Sequence, residues 1–495
     1  MSLINISNLT FAYEGSYDNI FENVSFQIDT DWKLGFTGRN GRGKTTFLKL
    51  LQGNNEYSGK IYASVKFQYF PHNVPDKAMI TNAIIRKISP GHHDWEINKE
   101  LSLLEVSEDV LNRPFETLSN GEQTKILLAS LFLNDNNFLL IDEPTNHLDS
   151  AGREIVSRYL NGKTGFILVS HDRAFLDGCV DHILSINRAN IEVQRGNFSS
   201  WLANKERQDN FELAENEKLK KDIKRLKKAA RQSGEWAEKV ESTKIGKGSA
   251  GVEKSIDSRA YIGEKSRRMQ QRRKNLEARQ SSAIEEKSKL LKNVEQAETL
   301  KITQMQYRKP QLISLRNVSI FYGEKRACEN ITFEINRGDR IALQGRNGSG
   351  KSSIIKLVCG EHISYCGEFS AGSGLQISYV SQDTSFLCGS PADYARQRDI
   401  NESLFKAILR KLDFSRVQFE KDMKDFSGGQ KKKVLIAGSL CEKSHLLVWD
   451  EPLNFIDILS RLQIETLLLE YQPTILFVEH DGVFCEKIAT KKVLL

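Results

Sequence analysis

Two glycine-rich stretches of this sequence end in a lysine followed by a hydroxyl residue. The first is GRNGRGKT, from Gly38 to Thr45, and the second is GRNGSGKS, from Gly345 to Ser352. Each stretch lies between an apolar strand-like run and a helix-like run, which is the context that a phosphate-binding P-loop requires. Glycines let backbone N–H groups approach phosphate oxygens, and the start of the following helix adds a favourable dipole. The sequence therefore predicts two sites for the phosphates of a nucleotide.

The residue types within each P-loop predict separate tasks. Lys44 and Lys351 are expected to reach the β- and γ-phosphates, and the hydroxyls of Thr45 and Ser352 to bind Mg²⁺. A glycine-rich turn can match this pattern by chance, but a second match in the same strand-to-helix context argues against that interpretation. The other predicted nucleotide ligands are Gly38, Asn40, Gly41, Gly43 and Thr46 in the first stretch and Gly345, Asn347, Gly348, Gly350 and Ser353 in the second.

A pair of carboxylates follows an apolar, strand-like run in each half of the chain. Asp142 and Glu143 follow NFLLI, and Asp450 and Glu451 follow HLLVW. Asp142 and Asp450 are predicted to hold Mg²⁺, whereas Glu143 and Glu451 are predicted to polarise the attacking water. These acids could instead cap the ends of strands, but capping would not explain why each pair accompanies a P-loop.

Histidines and tyrosines recur at matching places in the two halves. His171 and His480 each close a further apolar run and are predicted to sense the γ-phosphate, although a single histidine there would more often be structural. Tyr13 and Tyr322 precede the P-loops and are candidates for stacking on the base, although a lone tyrosine beside a strand is more often packed in a core.

A serine near a glycine marks a predicted helix start between each P-loop and its carboxylates. The segments are LSNGEQ, from Leu118, and FSGGQ, from Phe426. A serine N-cap and the free amides of the first helical turn can all face a phosphate. Each serine stands 24 residues before the catalytic glutamate, which strengthens a signal that is weak alone. The predicted ligands are Ser119, Gly121, Gln123, Ser427, Gly428, Gly429 and Gln430.

These matches make the chain a repeat with an unrelated middle segment. The lysine, serine, glutamate and histidine positions recur at offsets of 307 to 309 residues. The predicted organisation is therefore a domain at residues 1–200, a linker at 201–308 and a second domain at 309–495.

The linker differs in composition from both flanks. It carries 27 Lys and Arg against 17 Asp and Glu, and it contains no proline. One apolar seam follows Leu219, Ile223, Leu226 and Ala230, and a second recurs every seventh residue from Met269 to Ala297, so two helical arms around a glycine-containing break are expected. A basic hairpin suits RNA phosphates, although such charge runs are often simply solvated coiled coils.

Composition sets the remaining limits. No stretch approaches 18 consecutive apolar residues and the first residues lack a signal-peptide pattern, so we expect a soluble, cytosolic protein without a membrane span. The seven cysteines form no CxxC pair, which argues against disulfides and a zinc site.

Taken together, the P-loops, the LSNGEQ and FSGGQ signatures, the strand-end carboxylates and the repeated histidines resemble an ATP-binding cassette (ABC) protein with two fused cassettes. The resemblance implies an α/β fold with two P-loop ATPase domains in tandem, joined by a long antiparallel helical hairpin. It also implies a monomer whose cassettes close head to tail over ATP and Mg²⁺. Site 1 then joins Lys44, Asp142 and Glu143 to Ser427, Gly428 and Gly429, and site 2 joins Lys351, Asp450 and Glu451 to Ser119, Asn120 and Gly121.

The linker and the DEPTNHLD segment, from Asp142 to Asp149, further resemble the ABC-F class, which acts on ribosomes. The segment from Gly234 to Gly251 is similar to the tip of Lsa-type antibiotic-resistance members. This implies a partner in the ribosome, namely large-subunit rRNA and the P-site tRNA, and protection against lincosamides, pleuromutilins and streptogramin A. The alternatives are a housekeeping translation factor of the same class, the ATPase subunit of a transporter, and a non-catalytic scaffold.

The two halves depart from one another at the active sites. His72 stands where the second half has Gln382, which is expected to bind Mg²⁺ and nucleotide. Leu453 and Phe455 replace Thr145 and His147. The two ATP sites are therefore expected to be unequal.

Overall fold

The computed structural model describes residues 2–13, 19–134, 136–146, 148–186, 191–242, 264, 267–268, 271, 274, 304–323, 325–346 and 348–495. The chain divides into two compact units. One comprises Met1–Trp201 with Thr299–Leu495, and so contains both cassettes, and the other is Leu202–Glu298.

The first cassette has nine described strands in two sheets. They are β1 Leu3–Phe11, β2 Phe21–Asp29, β3 Lys33–Thr37, β4 Ser58–Tyr62, β5 Lys66–Phe70, β6 Asn137–Asp142, β7 Phe166–Val169, β8 His182–Ile186 and β9 Ile191–Arg195. The order β5-β6-β7-β3-β8-β9 forms a six-stranded sheet, parallel except for the β8–β9 pair, and β2-β1-β4 forms an antiparallel sheet. Every residue of β7 is buried, as expected for a parallel strand covered on both faces.

The second cassette repeats this arrangement. Its described strands are β10 Gln311–Tyr322, β11 Lys325–Asn336, β12 Arg340–Gln344, β13 Ser364–Ala371, β14 Ile377–Val380, β15 Leu446–Asp450, β16 Ile475–Val478 and β17 Lys491–Leu494. The parallel sheet has the order β14-β15-β16-β12-β17, and the antiparallel sheet has the order β11-β10-β13.

The described helices occupy equivalent places in the two cassettes. Those of the first are α1 Lys44–Leu51, α2 Thr81–Ile88, α3 Asp94–Leu103, α4 Asn120–Phe132, α5 Ser150–Asn161 and α6 Arg173–Cys179, followed by the long α7 Phe198–Ser242. Those of the second are α8 Lys351–Val358, α9 Pro391–Gln397, α10 Glu402–Lys411, α11 Gly428–Cys441, α12 Ile458–Tyr471 and α13 Gly482–Ile488. Short 3₁₀ turns span Glu108–Asn112, Phe115–Thr117, Arg416–Glu420 and Met423–Asp425.

The packing of α1 and α8 fixes the position of the P-loops. Phe47 of α1 is fully buried and contacts the rings of Phe21, Phe26 and Phe36, with centroids 5.5–6.0 Å apart. Burial of such a side chain contributes roughly 1.5–3 kcal/mol. Because these rings come from both sheets, the start of α1 is held at the carboxyl ends of the parallel strands.

The linker is described in part. Helix α7 continues through Gly234 to Ser242 and is 45 residues long, about 67 Å at the ideal rise per residue. Gly234 therefore does not end the helix. A helix can tolerate this glycine, since one glycine in its interior costs only about 1 kcal/mol. Between residues 243 and 303 the structure describes only positions 264, 267, 268, 271 and 274, which are helical. The rest of the predicted tip and the residues of the second apolar seam therefore lie outside the described residues.

The last residues of the predicted linker pack on the second cassette. Gln304 and Tyr307 precede the predicted boundary at residue 309 but pack on the second cassette. The Gln304 side chain accepts a hydrogen bond from the backbone N–H of Thr474 at 2.7 Å, and Tyr307 is buried beside His445.

Among the described residues, no helix is long and apolar enough to cross a membrane.

Candidate active sites

The first P-loop folds around its own lysine. Lys44 is the first residue of α1, and its Nζ donates to the carbonyl of Gly38 at 2.6 Å and contacts the carbonyl of Arg39 and Asn40 Oδ1 at 3.3 Å. Gly43 has a φ of 91°, and a Cβ there would lie 2.5 Å from Ile20. A side chain at position 43 would therefore displace the loop from its helix.

The second P-loop has the same form. Lys351 Nζ donates to the carbonyls of Gly345 and Arg346, both at 2.9 Å. Gly350 and Gly348 have φ values of 91° and 83°. Asn347 lies outside the described residues. Open space lies in front of Gly348, as it does in front of Gly41 in the first loop, so both loops leave room where a phosphate would approach.

Hydroxyl and carboxylate oxygens meet beside each P-loop. Thr45 Oγ1 donates to Asp142 Oδ2 at 3.1 Å, and the Tyr69 hydroxyl donates to the same oxygen at 2.9 Å. Burial raises the pKa of Asp142, although the hydrogen bonds from Tyr69 and Thr45 oppose that shift. Asp450, beside Ser352, is also buried, and its Oδ1 has no hydrogen-bond partner among the described residues. Such oxygen donors are those that Mg²⁺ prefers, so both sets fit the ion.

The two catalytic glutamates have different surroundings. Glu451 Oε2 accepts hydrogen bonds from Gln382 at 2.8 Å and from Asn454 at 2.6 Å. A hydrogen bond from His480, with that from Asn454, holds the pKa of Glu451 below its ordinary value. Glu451 is thus an oriented, ionised carboxylate. Asn454 was not among the predicted site residues, although an asparagine follows the glutamate by three residues in both cassettes.

Glu143 has no comparable support within the described part of the chain. No side-chain hydrogen bond reaches either carboxylate oxygen, and His171 Nε2 lies 3.2 Å from Oε1. Burial and the neighbouring Asp142 raise the pKa of Glu143 to about 8. Burial also lowers the pKa of His171 well below its ordinary value, so the imidazole is neutral. His72, which occupies the Gln382 position, instead lines a separate groove with Lys49.

The signature segments begin helices α4 and α11. Ser119 Oγ accepts from the Glu122 amide at 3.3 Å while Glu122 accepts from the Ser119 amide, and Ser427 with Gln430 repeats this capping box. Glu122 is thus the counterpart of Gln430. The predicted ligand Gln123 turns away, because its Nε2 donates to the carbonyls of Phe115 and Leu118.

Each signature faces the P-loop of the other cassette across a cavity. Site 1 has a small cavity of about 290 Å³, and Asn40 Nδ2 donates across it to the carbonyl of Phe455 at 2.7 Å. It is lined by Asn40, Gly41, Glu143, Asn146 and His171 of the first cassette and by Ser427, Gly428, Gly429 and Phe455 of the second.

Site 2 is wider, with a cavity of about 1110 Å³. Its predicted ligands from the second cassette are Tyr322, Gly348, Gly350, Lys351, Ser352, Ser353, Gln382, Glu451 and His480, and those from the first are Ser119, Asn120 and Gly121. The structure thus brings together, at both sites, predicted ligands of the two cassettes that are more than 200 positions apart in the sequence.

The two tyrosines differ in their contacts. A hydrogen bond of 2.9 Å joins the hydroxyls of Tyr13 and Thr46, and the Tyr13 ring packs edge-on against Phe11. Tyr322 is half exposed and lines the site 2 cavity. Tyr13 is therefore hydrogen-bonded to its P-loop, whereas Tyr322 lines the site 2 cavity, although the two residues are about equally exposed.

The fold and these sites define an ATP-binding cassette protein. A family model described as ABC transporter matches residues 21–146 and 328–454, which make up just over half of the chain. The chain therefore belongs to this family, whose domains bind ATP, typically with Mg²⁺, and hydrolyse it. It is an ATP hydrolase, and the predictions of an ATPase and of two tandem α/β cassettes are confirmed.

Sequence similarity to known proteins covers nearly the whole chain. It is 26% identical over 507 residues to the ribosome protection protein VmlR of Bacillus subtilis (strain 168), covering 100% of this chain and 86% of that protein. It is 29% identical over 516 residues to the ATP-binding protein Uup of Buchnera aphidicola subsp. Acyrthosiphon pisum (strain APS), covering 99% and 80%.

Solved structures support the tandem fold. A crystal structure of the archaeal ribosomal stalk protein aP1 with the archaeal ribosome recycling factor aABCE1 contains a similar chain, with a TM-score of 0.65, 18% identity and coverage of 98% of this chain and 87% of that one. The RNase-L inhibitor gives a TM-score of 0.63 at 18% identity, covering 99% and 87%. At such identities the likeness concerns the fold alone.

Proposed function

We propose that this chain is an ABC-F ATPase that binds the ribosome and protects it from antibiotics of the peptidyl-transferase centre. The main support is the similarity to VmlR, whose name describes ribosome protection and which matches the whole of this chain, linker included. The drug classes that we expect are lincosamides, pleuromutilins and streptogramin A. The protein then works as a monomer in the cytoplasm.

The charge of α7 suits a partner made of RNA. Between positions 218 and 228, six described cations are exposed, and Asp222 is the sole acid. The six are Lys218, Lys220, Lys221, Lys224, Arg225 and Lys228. Cations placed along one helix neutralise phosphates and release their counterions, which favours binding to rRNA or to the P-site tRNA.

The proposed cycle uses ATP as a switch between two arrangements of the cassettes. Two ATP molecules, with Mg²⁺ beside Asp142 and Asp450, hold each P-loop against the opposite signature. In this state residues 201–308 enter the ribosome, and hydrolysis at Glu143 and Glu451 allows release. In this proposal the cassettes at 1–200 and 309–495 bind and hydrolyse ATP, and the linker at 201–308 contacts the ribosome.

Cell-free translation titrated with lincomycin tests this function. We expect purified protein to shift the inhibition curve to higher drug concentrations. A variant shortened between Glu241 and Val252 should lose the shift, whereas the E143Q/E451Q double variant should remain trapped on ribosomes in ATP.

Co-sedimentation with ribosomes separates the alternatives. Binding in ATP without any shift of the inhibition curve would reject the resistance role and leave a housekeeping translation factor. Absence of binding would reject both and favour the ATPase subunit of a transporter. Equal binding of wild type and E143Q/E451Q would favour a non-catalytic scaffold.

A further inference from the structure

An arginine is the second residue of each P-loop motif, and each arginine shares its site with an acid of the opposite cassette. Arg39 contacts Asp413, which follows α10, and Arg346 lines the site 2 cavity together with Glu105, which follows α3. The two acids are equivalent in the repeat, since they are 308 positions apart. We call each arginine–acid pair a latch.

The backbone around both acids favours glycine rather than an acid. Glu105 has a φ of 52° and Asp413 a φ of 68°, each one residue beyond the helix C-cap. The amides of the following residues, Val106 and Phe414, return to carbonyls five positions earlier at 3.0 and 2.9 Å, which completes the same helix ending. A charged residue in the left-handed region is uncommon and costs conformational energy.

The site 1 latch is closed. Arg39 Nη1 lies 2.5 Å from Asp413 Oδ1, and Arg42 Nη2 lies 4.0 Å from Oδ2. The two main side chains are only 25% and 18% exposed, so the pair is largely shielded from water. It accompanies the hydrogen bond from Asn40 to the carbonyl of Phe455 across the small cavity.

The site 2 latch is open. Arg346 and Glu105 line the same large cavity, but within the described residues no carboxylate lies within 4.0 Å of Arg346. Glu105 is instead 3.5 Å from Arg158 of its own cassette, and both of these side chains are more than half exposed. The arginine–acid pair is thus formed at site 1. At site 2, Glu105 pairs instead with Arg158 of its own cassette.

We propose that Glu105 is a positioning residue that exchanges Arg158 for Arg346 when site 2 closes over nucleotide, which would reproduce at site 2 the pair that Arg39 and Asp413 form at site 1. The exchange keeps the Glu105 carboxylate paired in both states, and Arg158 retains Glu154 at 3.9 Å. Because Arg346 is part of the P-loop, docking it on Glu105 draws that loop toward the signature at Ser119. This inference rests on the ATP hydrolase class and not on the proposed ribosomal role.

Charge reversal and exchange in the full-length protein test the proposal. We expect E105K and R346E each to raise the KM for ATP at least about fivefold, with a smaller change in kcat, because the pair acts on closure and not on the attacking water. The exchanged variant E105K/R346E should return to within about twofold of wild type, since the contact is direct. E105Q should change KM in the same direction as E105K.

Two controls give the result its meaning. E108K reverses another exposed glutamate of the same cassette, outside the cavity, and should leave KM unchanged. R158A removes the competing partner of Glu105 and should lower KM, which a merely structural role for Glu105 would not produce. The proposal is overturned if E105K and E105Q match E108K, or if the exchanged variant is no better than the single ones. Rescue of ATP hydrolysis without ribosome binding would reject the ribosomal role and leave the latch intact.

Discussion

Arg173 of the first cassette forms a buried, two-pronged ion pair with Glu465 of the second. Nη1 lies 3.2 Å from Oε2, Nη2 contacts Oε1 more closely, and Asp481 Oδ2 is 3.6 Å from Nη2. The Arg173 and Glu465 side chains are 5% and 4% exposed. In the repeat, their counterparts are Gly482 and Ser157, so the symmetry-related ion pair is not possible. The interface between the cassettes is therefore asymmetric in charge.

Removal of Glu465 should destabilise the pairing of the cassettes. E465A leaves a buried guanidinium with one carboxylate fewer, and the loss of one partner of a buried pair costs about 3–5 kcal/mol. Urea unfolding of the full-length protein measures this loss. E470A, which removes an exposed glutamate of the same helix, is the matched control and should change the free energy of unfolding by no more than about 0.5 kcal/mol. Equal stability of the two variants would show that the buried pair contributes nothing.

Glutamine substitutions should separate the two catalytic glutamates. Gln382 and Asn454 orient Glu451, whereas no side-chain amide within the described residues supports Glu143. We expect E451Q to lower steady-state ATP hydrolysis by about 10²-fold or more and E143Q to lower it less. The measurement is phosphate release at saturating ATP. A larger loss in E143Q would contradict the expectation that Glu451, which is oriented by Gln382 and Asn454, supports most of the hydrolysis.

The ion pair of Lys433 and Asp457 predicts a pH dependence of stability. Although burial opposes ionisation, the Lys433 ammonium, with Nζ 3.1 Å from Oδ2, and the Ser460 amide lower the pKa of Asp457. The folded pKa lies below the unfolded value of about 3.9, so the carboxylate stabilises the fold above that pH and loses its effect as the pH falls toward the folded pKa.

We therefore expect D457N to be less stable than wild type at pH 7, with a difference that shrinks below about pH 4. Unfolding by urea at several pH values provides the measurement. D425N, which changes an exposed acid of the same cassette, should remain parallel to wild type. A constant difference between D457N and wild type across this range would argue against the ion pair as its cause.

Adjacent glycines of the second signature should respond differently to alanine. A Cβ at Gly429 would lie 2.3 Å from the carbonyl oxygen of Phe455 and 2.9 Å from Asn40 Nδ2, whereas a Cβ at Gly428 would meet the Phe455 ring at an ordinary 3.5 Å. We expect G429A to lose about 1–3 kcal/mol of stability without nucleotide and G428A to lose little. Thermal unfolding compares the two variants, and similar melting temperatures would contradict the close approach.

The sequence by itself determined the features that are local. The P-loops, the strand-end carboxylates and the capped signature helices each lie within one short segment, and turn geometry and apolar runs specify them without distant contacts. The repeat then predicted two equivalent domains around a linker, because the same motifs recur at a nearly constant offset, and the resemblance to ABC proteins implied that both are α/β cassettes. The same local pattern predicted Gln123 as a nucleotide ligand. The sequence does not show that Glu122, and not Gln123, lines the cavity.

Only the tertiary structure decided how the two copies differ. Arg39 meets Asp413, and Arg173 meets Glu465, through packing of segments that are hundreds of residues apart, and no local pattern carries that information. The contrast between Glu451 and Glu143 likewise depends on where Gln382, Asn454 and His72 lie in space. The physical reason is that orientation and desolvation of a charged group are set by all the groups around it, most of which are distant in the sequence.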